Sequence, residues 1–156
     1  MDKTKVVQIG LLVRDIHKAS ADWASFLGCE IPEVNCTEGY KVSHAQYRGE
    51  PCHGRMDQAV FHLGELEIEL ISPAGAEPSF WKECLERDGE GLHHIAFRTR
   101  EIERDMQSLA DQGCEIVQKG SWPDTPRDGS YAYADASEKL KCIVELLDFP
   151  RESNRG

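Results

Sequence analysis

The chain carries one pattern twice, and that repeat limits its architecture more than any other feature. With Gln8 set on His94, "QIGLLVRDIHKASADWASFLGCEI" lies over "HIAFRTREIERDMQSLADQGCEI". Arg14-Asp15-Ile16 falls on Arg100-Glu101-Ile102, and Gly28-Cys29-Glu30-Ile31 on Gly113-Cys114-Glu115-Ile116, the second copy being one residue shorter in between. The ends of the halves correspond as well. "LEIELISP" at 66–73 lies over "CIVELLDFP" at 142–150, which sets Glu69 on Glu145. Such a repeat is one supersecondary unit written twice, each copy completing the core that the other cannot close alone. A half of about 75 residues is marginal by itself. The expectation is a single domain, 1–156, of two modules at about 5–75 and 90–150, paired about a pseudo-two-fold axis.

Each copy reads as βαβββ. An apolar strand opens it, Val6–Val13 or Leu92–Thr99. A helix follows, with Asp15 or Glu101 well placed near its positive N-terminal end. Ile16, Ala19, Trp23 and Phe26–Leu27 recur at helical spacing, as do Ile102, Met106 and Leu109. Gly28 and Gly113 stop the two helices. Strands are then expected at Lys41–Arg48, Gln58–Leu63 and Leu66–Ile71, and again at Ile116–Lys119, Ser130–Ala134 and Cys142–Leu147. Gly64-Glu65 makes a tight hairpin turn. The fold class is α+β, with the sheets of the two modules curving together around a shared cavity.

Polar exceptions on these apolar strands mark the candidate site. Gln8 interrupts Val6, Val7, Ile9 and Leu11; Glu69 stands between Ile68 and Leu70, and Glu145 between Val144 and Leu146. His94 takes the place of Gln8 in the second copy. An unpartnered polar group in a buried strand is costly, and a bare carboxylate more so. One divalent metal ion would relieve all four. An amide oxygen, an imidazole nitrogen and two carboxylates form an oxygen-rich set suited to an ion that keeps open water positions. The plainer alternative puts the glutamates in solvent and makes Gln8 and His94 hydrogen-bonded core residues. That alternative leaves the fourfold match under the repeat unexplained. In "GEGLHHIAF", strand alternation turns His94 toward the site and His93 to the opposite face.

The net charge of −10 argues against a broad nucleic-acid surface. No apolar run reaches the roughly 18–20 residues of a membrane span, and "MDKTKVVQIG" lacks the pattern of a signal peptide. A cytoplasmic protein with reduced, mostly buried thiols is expected, since none of the six cysteines forms a CxxC pair. His44, His53, His62, Arg48 and Arg55 read first as surface or loop residues. The stretch 119–131, with Trp122 and Arg127, reads as an ordinary loop with a lid or anion contact as its alternative. The tail "PRESNRG" is expected to fray.

"VQIGLLVRDIHKA", "LEIELISP", "GEGLHHIAF" and "IVELLD" resemble motifs of the vicinal oxygen chelate superfamily over about residues 5–148. That superfamily includes glyoxalase I, methylmalonyl-CoA epimerase, extradiol dioxygenases and bleomycin-resistance proteins. The resemblance implies paired βαβββ modules forming a U-shaped, curved mixed sheet, whose cleft holds one divalent ion (Zn, Co, Ni or Mn) on Gln8, Glu69, His94 and Glu145. It also implies a small carbonyl substrate, such as an acyl-CoA, and a homodimer. "ERDGEGLHHIAF" is most similar to the epimerase branch. That branch has His and Gln where this chain has Gln8 and Glu69, and a glutamate base where this chain has Gln58. The Gln/Glu/His/Glu set resembles eukaryotic glyoxalase I, whose last glutamate can leave the metal and act as base. The positions that clamp glutathione there are Leu12, Pro73 and Glu90 here, which cannot do so.

Both likenesses imply proton transfer beside a carbonyl through a metal-stabilised enediolate, in an isomerase, epimerase or lyase. Glu145 is the first choice for the base and Glu69 the second. The alternatives are a metal-free sequestering protein of the bleomycin-resistance type and an extradiol-type dioxygenase. Gln8 breaks the two-histidine, one-glutamate triad of the latter.

Overall fold

The computed structural model describes residues 1–122 and 129–149. The elements of the first copy are β1 (Val6–Leu12), α1 (Ile16–Leu27), β2 (Asn35–Cys36), α2 (Tyr40–Ser43), β3 (Gln46–Tyr47), β4 (Glu50–Pro51), β5 (Arg55–Leu63) and β6 (Leu66–Ala74). A connecting helix, α3 (Phe80–Asp88), leads to β7 (Gly91–Thr99), α4 (Ile102–Asp111), β8 (Glu115–Trp122), β9 (Gly129–Asp135), α5 (Ser137–Leu140) and β10 (Ile143–Asp148). Asp15 caps α1 by accepting from the Lys18 N–H at 2.9 Å, and Gly28 ends it in the left-handed conformation, φ +68°.

Among the described residues the strands form one curled mixed sheet in the order β2-β5-β6-β1-β7-β10-β9-β8-β3-β4. The halves join where β1 and β7 run antiparallel, and each opening strand pairs in parallel with the last strand of its own copy, β6 or β10. The pseudo-two-fold expected from the repeat therefore passes between β1 and β7. On the outer face α1 packs over Ala59, Phe61, Ile68 and Leu70. Around α4, Met106 and Leu109 pack with Ala132, Ala134, Val144 and Leu146.

Two features depart from the expected pattern. Lys41–Arg48 is not one strand. Gly39 begins a single helical turn, and His44 and Arg48 adopt φ of +46° and +51°. Those left-handed residues break an extended run. The short strand that remains, β3, crosses to the other copy and pairs with Gln118 and Lys119 of β8. The second departure is α3. Its Phe80, Trp81, Cys84 and Leu85 fill the inner side of the sheet against Leu12, Ile71, Tyr133 and Ile143. Residues 119–122 belong to β8 and 129–131 to β9, while Arg127 and residues 150–156 lie outside the described residues. No described helix is long and apolar enough to cross a membrane.

Candidate functional site

Strand register brings the four predicted residues together. Across β6, β1 and β7, Glu69, Gly10 and His94 stand in one row. Across β10, β7 and β1, Glu145, Ala96 and Gln8 stand in the next. The second row is the image of the first under the repeat, with a small residue at the middle of each. Gly10 is small of necessity: a Cβ there would lie 2.0 Å from His94 Cε1, because the imidazole rests on the Gly10 backbone. All four side chains are buried, with Gln8 7% exposed, Glu69 6%, Glu145 3% and His94 0%.

His94 Nε2 is the meeting point. Gln8 Oε1 is hydrogen-bonded to it at 3.0 Å, and oxygens of Glu145 and Glu69 lie at 3.0 and 3.5 Å. Glu145 Oε2 is within ion-pair distance of the ring, yet among the described residues this buried oxygen has no hydrogen-bond partner. Burial raises the Glu69 carboxyl to about 8, helped by Glu145 and Glu67 and opposed by His94. Burial alone would lower the His94 imidazole, but the charges of Glu145 and Glu69 outweigh it and raise its pKa.

His93 departs from the expected geometry. Both histidine rings lie on the inner face, with Nδ1 atoms 3.0 Å apart. The pairing of β1 and β7 skips His93, since Gly10 faces His94 while Leu11 faces Leu92. Such a bulge puts neighbouring side chains on the same side of the sheet. The matching skip on β1 falls at Val7, the repeat image of His93. The His93 ring packs on Phe80 and Tyr133 at centroid distances of 5.6 and 5.1 Å, and burial holds its pKa well below the ordinary imidazole value. Tyr133 also lies against His94, and its hydroxyl accepts from Trp81 Nε1 at 3.1 Å.

As they stand, the four residues form a hydrogen-bonded cluster. Among the described residues no three of His, Cys, Asp and Glu are already arranged to hold a metal ion. The donor set nevertheless fits one. Metal–ligand bonds of about 2.1 Å put neighbouring donors of a six-coordinate ion about 3 Å apart, close to the spacings around His94 Nε2. Glu145 Oε2, buried without a hydrogen bond, is the kind of atom a cation would satisfy. Two cavities, of about 530 and 300 Å³, open elsewhere, the larger beside Tyr47, Lys82 and Glu83 and the smaller beside Gln46, Met106 and Gln118.

Sequence reasoning missed Gly10, Glu67 and the α3 residues. A lone glycine inside an apolar strand is itself a sign of close approach. Glu67, two residues before Glu69, shares its face by strand alternation. The other residues singled out lie elsewhere. His53 packs against Tyr40 with tilted rings, centroids 5.1 Å apart, and Gln58 pairs across from Ile71. All six cysteines are free, with Cys52, Cys84 and Cys114 buried and Cys29 and Cys36 exposed.

Residues 7–133 match the family model of the glyoxalase/bleomycin resistance protein/dioxygenase superfamily. The chain belongs to that superfamily. The chain is 28% identical over 144 residues to an uncharacterized Bacillus subtilis protein, YqjC, covering 90% of this chain and 89% of that one. In fold it is similar to the hypothetical protein BH1468 from Bacillus halodurans, with TM-score 0.65, 18% identity and 96% of each chain covered. It is also similar to methylmalonyl-CoA epimerase from Mycobacterium tuberculosis, with TM-score 0.62 and 16% identity over 93% of this chain and 87% of that one. At such identities the solved structures show a shared fold alone.

Proposed function

We propose that this chain is a divalent-metal-dependent isomerase, epimerase or lyase that moves a proton next to a carbonyl group. The observation that carries the reading is the convergence of Gln8, Glu69, His94 and Glu145 from both copies, with one buried Glu145 oxygen lacking a hydrogen bond. Gln8 Oε1, His94 Nε2 and the two carboxylates would hold the ion. When bound, it supplies Lewis-acid stabilisation of negative charge developing on a substrate oxygen. The rest is the chain's own chemistry. An oxygen of the Glu145 carboxylate that does not hold the ion accepts the proton from the carbon beside the carbonyl. Glu69, on the other copy, is the second acid–base group, and an epimerase needs it to return a proton from the opposite side. Apolar surroundings of Tyr133, Phe80 and Trp81 exclude water from this exchange. The likeness to methylmalonyl-CoA epimerases makes acyl-CoA thioesters the first substrates to try.

The test joins metal analysis to isotope exchange. Protein purified with divalent metal present is expected to hold about one ion per chain, bound more weakly in Gln8→Ala and His94→Ala. In deuterated water it should place deuterium beside the carbonyl of an acyl-CoA, and Glu145→Gln should slow that exchange by about 100-fold or more. Ligand binding without exchange, unaffected by Glu145→Gln, would identify a sequestering protein instead. Iron with oxygen consumption would identify a dioxygenase. Wild type without metal sinks the reading.

A further inference from the structure

Gln8 differs from the two carboxylates of the cluster in one respect. A carboxylate presents the same atom at either end, whereas an amide presents an oxygen or an NH₂ group of nearly equal size. Only the oxygen can hold a cation. Something must choose which end faces inward.

The row that carries Gln8 continues outward over β6 and β5, where Glu67 and then His62 are its cross-strand neighbours. Gln8 Nε2 donates to Glu67 Oε2 at 3.1 Å, and the other Glu67 oxygen lies 3.4 Å from His62 Nδ1. Glu67 is only partly buried, its side chain 31% exposed. It nonetheless reaches toward the buried amide. A carboxylate accepts and cannot donate. Turned round, the amide would set its oxygen against the Glu67 oxygen and its NH₂ against His94 Nε2. We propose that Glu67 is a positioning residue: it fixes the Gln8 amide so that Oε1 faces the centre of the cluster. The inference rests on the reading of Gln8 as a metal ligand. His94, the repeat image of Gln8 and the other member with two unlike ends, has an outer partner of its own in His93 Nδ1 at 3.0 Å. Outer groups that orient metal ligands are worth about 10–100-fold in metal affinity.

The experiment is a double-mutant cycle read as zinc affinity. Dissociation constants are measured by competition with a chromogenic chelator for wild type, Glu67→Met, Gln8→Met and the double variant. Glu67→Met keeps the length of the side chain and removes the acceptor that Gln8 Nε2 uses. Gln8→Met keeps the buried volume and removes the amide, leaving nothing to orient. In the wild-type background Glu67→Met should raise the zinc Kd by about 10–100-fold. In the Gln8→Met background the same change should leave it within about threefold. Denaturant unfolding of the four metal-free proteins checks that each is folded. An unchanged Kd for Glu67→Met alone overturns the inference. So does an equal loss in both backgrounds, which would mark a role through charge or folding. If wild type binds no zinc, the metal reading falls with it; if wild type binds and the cycle is flat, only the role of Glu67 falls.

Discussion

Gly10 shows how much a single hydrogen atom decides here. The imidazole of His94 lies where a Cβ on residue 10 would be, 2.0 Å from that position at its nearest atom. Gly10→Ala is expected to destabilise the protein by about 1–3 kcal/mol and to displace the ring. Denaturant unfolding together with zinc titration checks it, and a variant that keeps full stability and affinity would contradict the packing described. The four residues of the cluster stood out in the sequence because they are polar residues on apolar strands, and the repeat tied each to another. Gly10 and Glu67 were not marked that way: a glycine or a glutamate is polar or small in many settings. His93 was misread for a different reason. Alternation assumes an unbroken ladder, and the bulge that skips His93 breaks it. His93→Ala therefore removes the partner of His94 Nδ1. Zinc affinity should fall by about tenfold, measured by the same chelator competition; unchanged affinity would return His93 to a packing role alone.

At the scale of elements, the repeat located both opening strands, both long helices and the last strands of each copy. These are the parts whose period is locally written. The element missed between the copies is α3, whose apolar residues Phe80, Trp81, Cys84 and Leu85 lie within a highly charged stretch, "FWKECLERD". It occurs once, so no second copy drew attention to it. Its contribution is nevertheless large. Phe80 is fully buried between His93 and Tyr133, and its backbone N–H donates to Gln118 Oε1 at 2.8 Å. Phe80→Ala should cost about 3–5 kcal/mol, seen as a lower unfolding midpoint. A loss below 1 kcal/mol would mean that α3 is loosely held. Lys41–Arg48 was misread as a strand because its residues suit one. His44 is the left-handed cap of a local helical turn, its N–H donating to the Tyr40 carbonyl at 2.8 Å. Arg48 has partners far away in sequence: its N–H donates to the Val117 carbonyl at 2.7 Å, and its guanidinium pairs with Glu83 and Glu115 at 3.0 and 2.8 Å.

Over the whole molecule, burying this cluster couples folding to pH. In the metal-free protein the Glu69 carboxyl keeps its proton up to about pH 8, whereas the unfolded chain releases it near 4.5. The folded state thus binds the extra proton, and stability falls as pH rises through that window. His94, whose pKa is also raised, acts in the same direction above 6.5. His93, held low by burial, acts oppositely and loses stability as pH falls below 6.5. Between pH 6.5 and 8 the first two dominate. The melting temperature in chelator should therefore decline across that interval, and Glu69→Gln should flatten the decline. A rise instead would contradict the buried, protonated carboxyl. The crossing of β3 to the edge of the second copy has a consequence in time. Arg48, beside that strand, lies 67 residues ahead of its partner Glu115. During synthesis the segment at 46–51 emerges long before β8 exists to receive it. The two halves resemble one another in sequence, yet the first cannot finish folding until the second has left the ribosome.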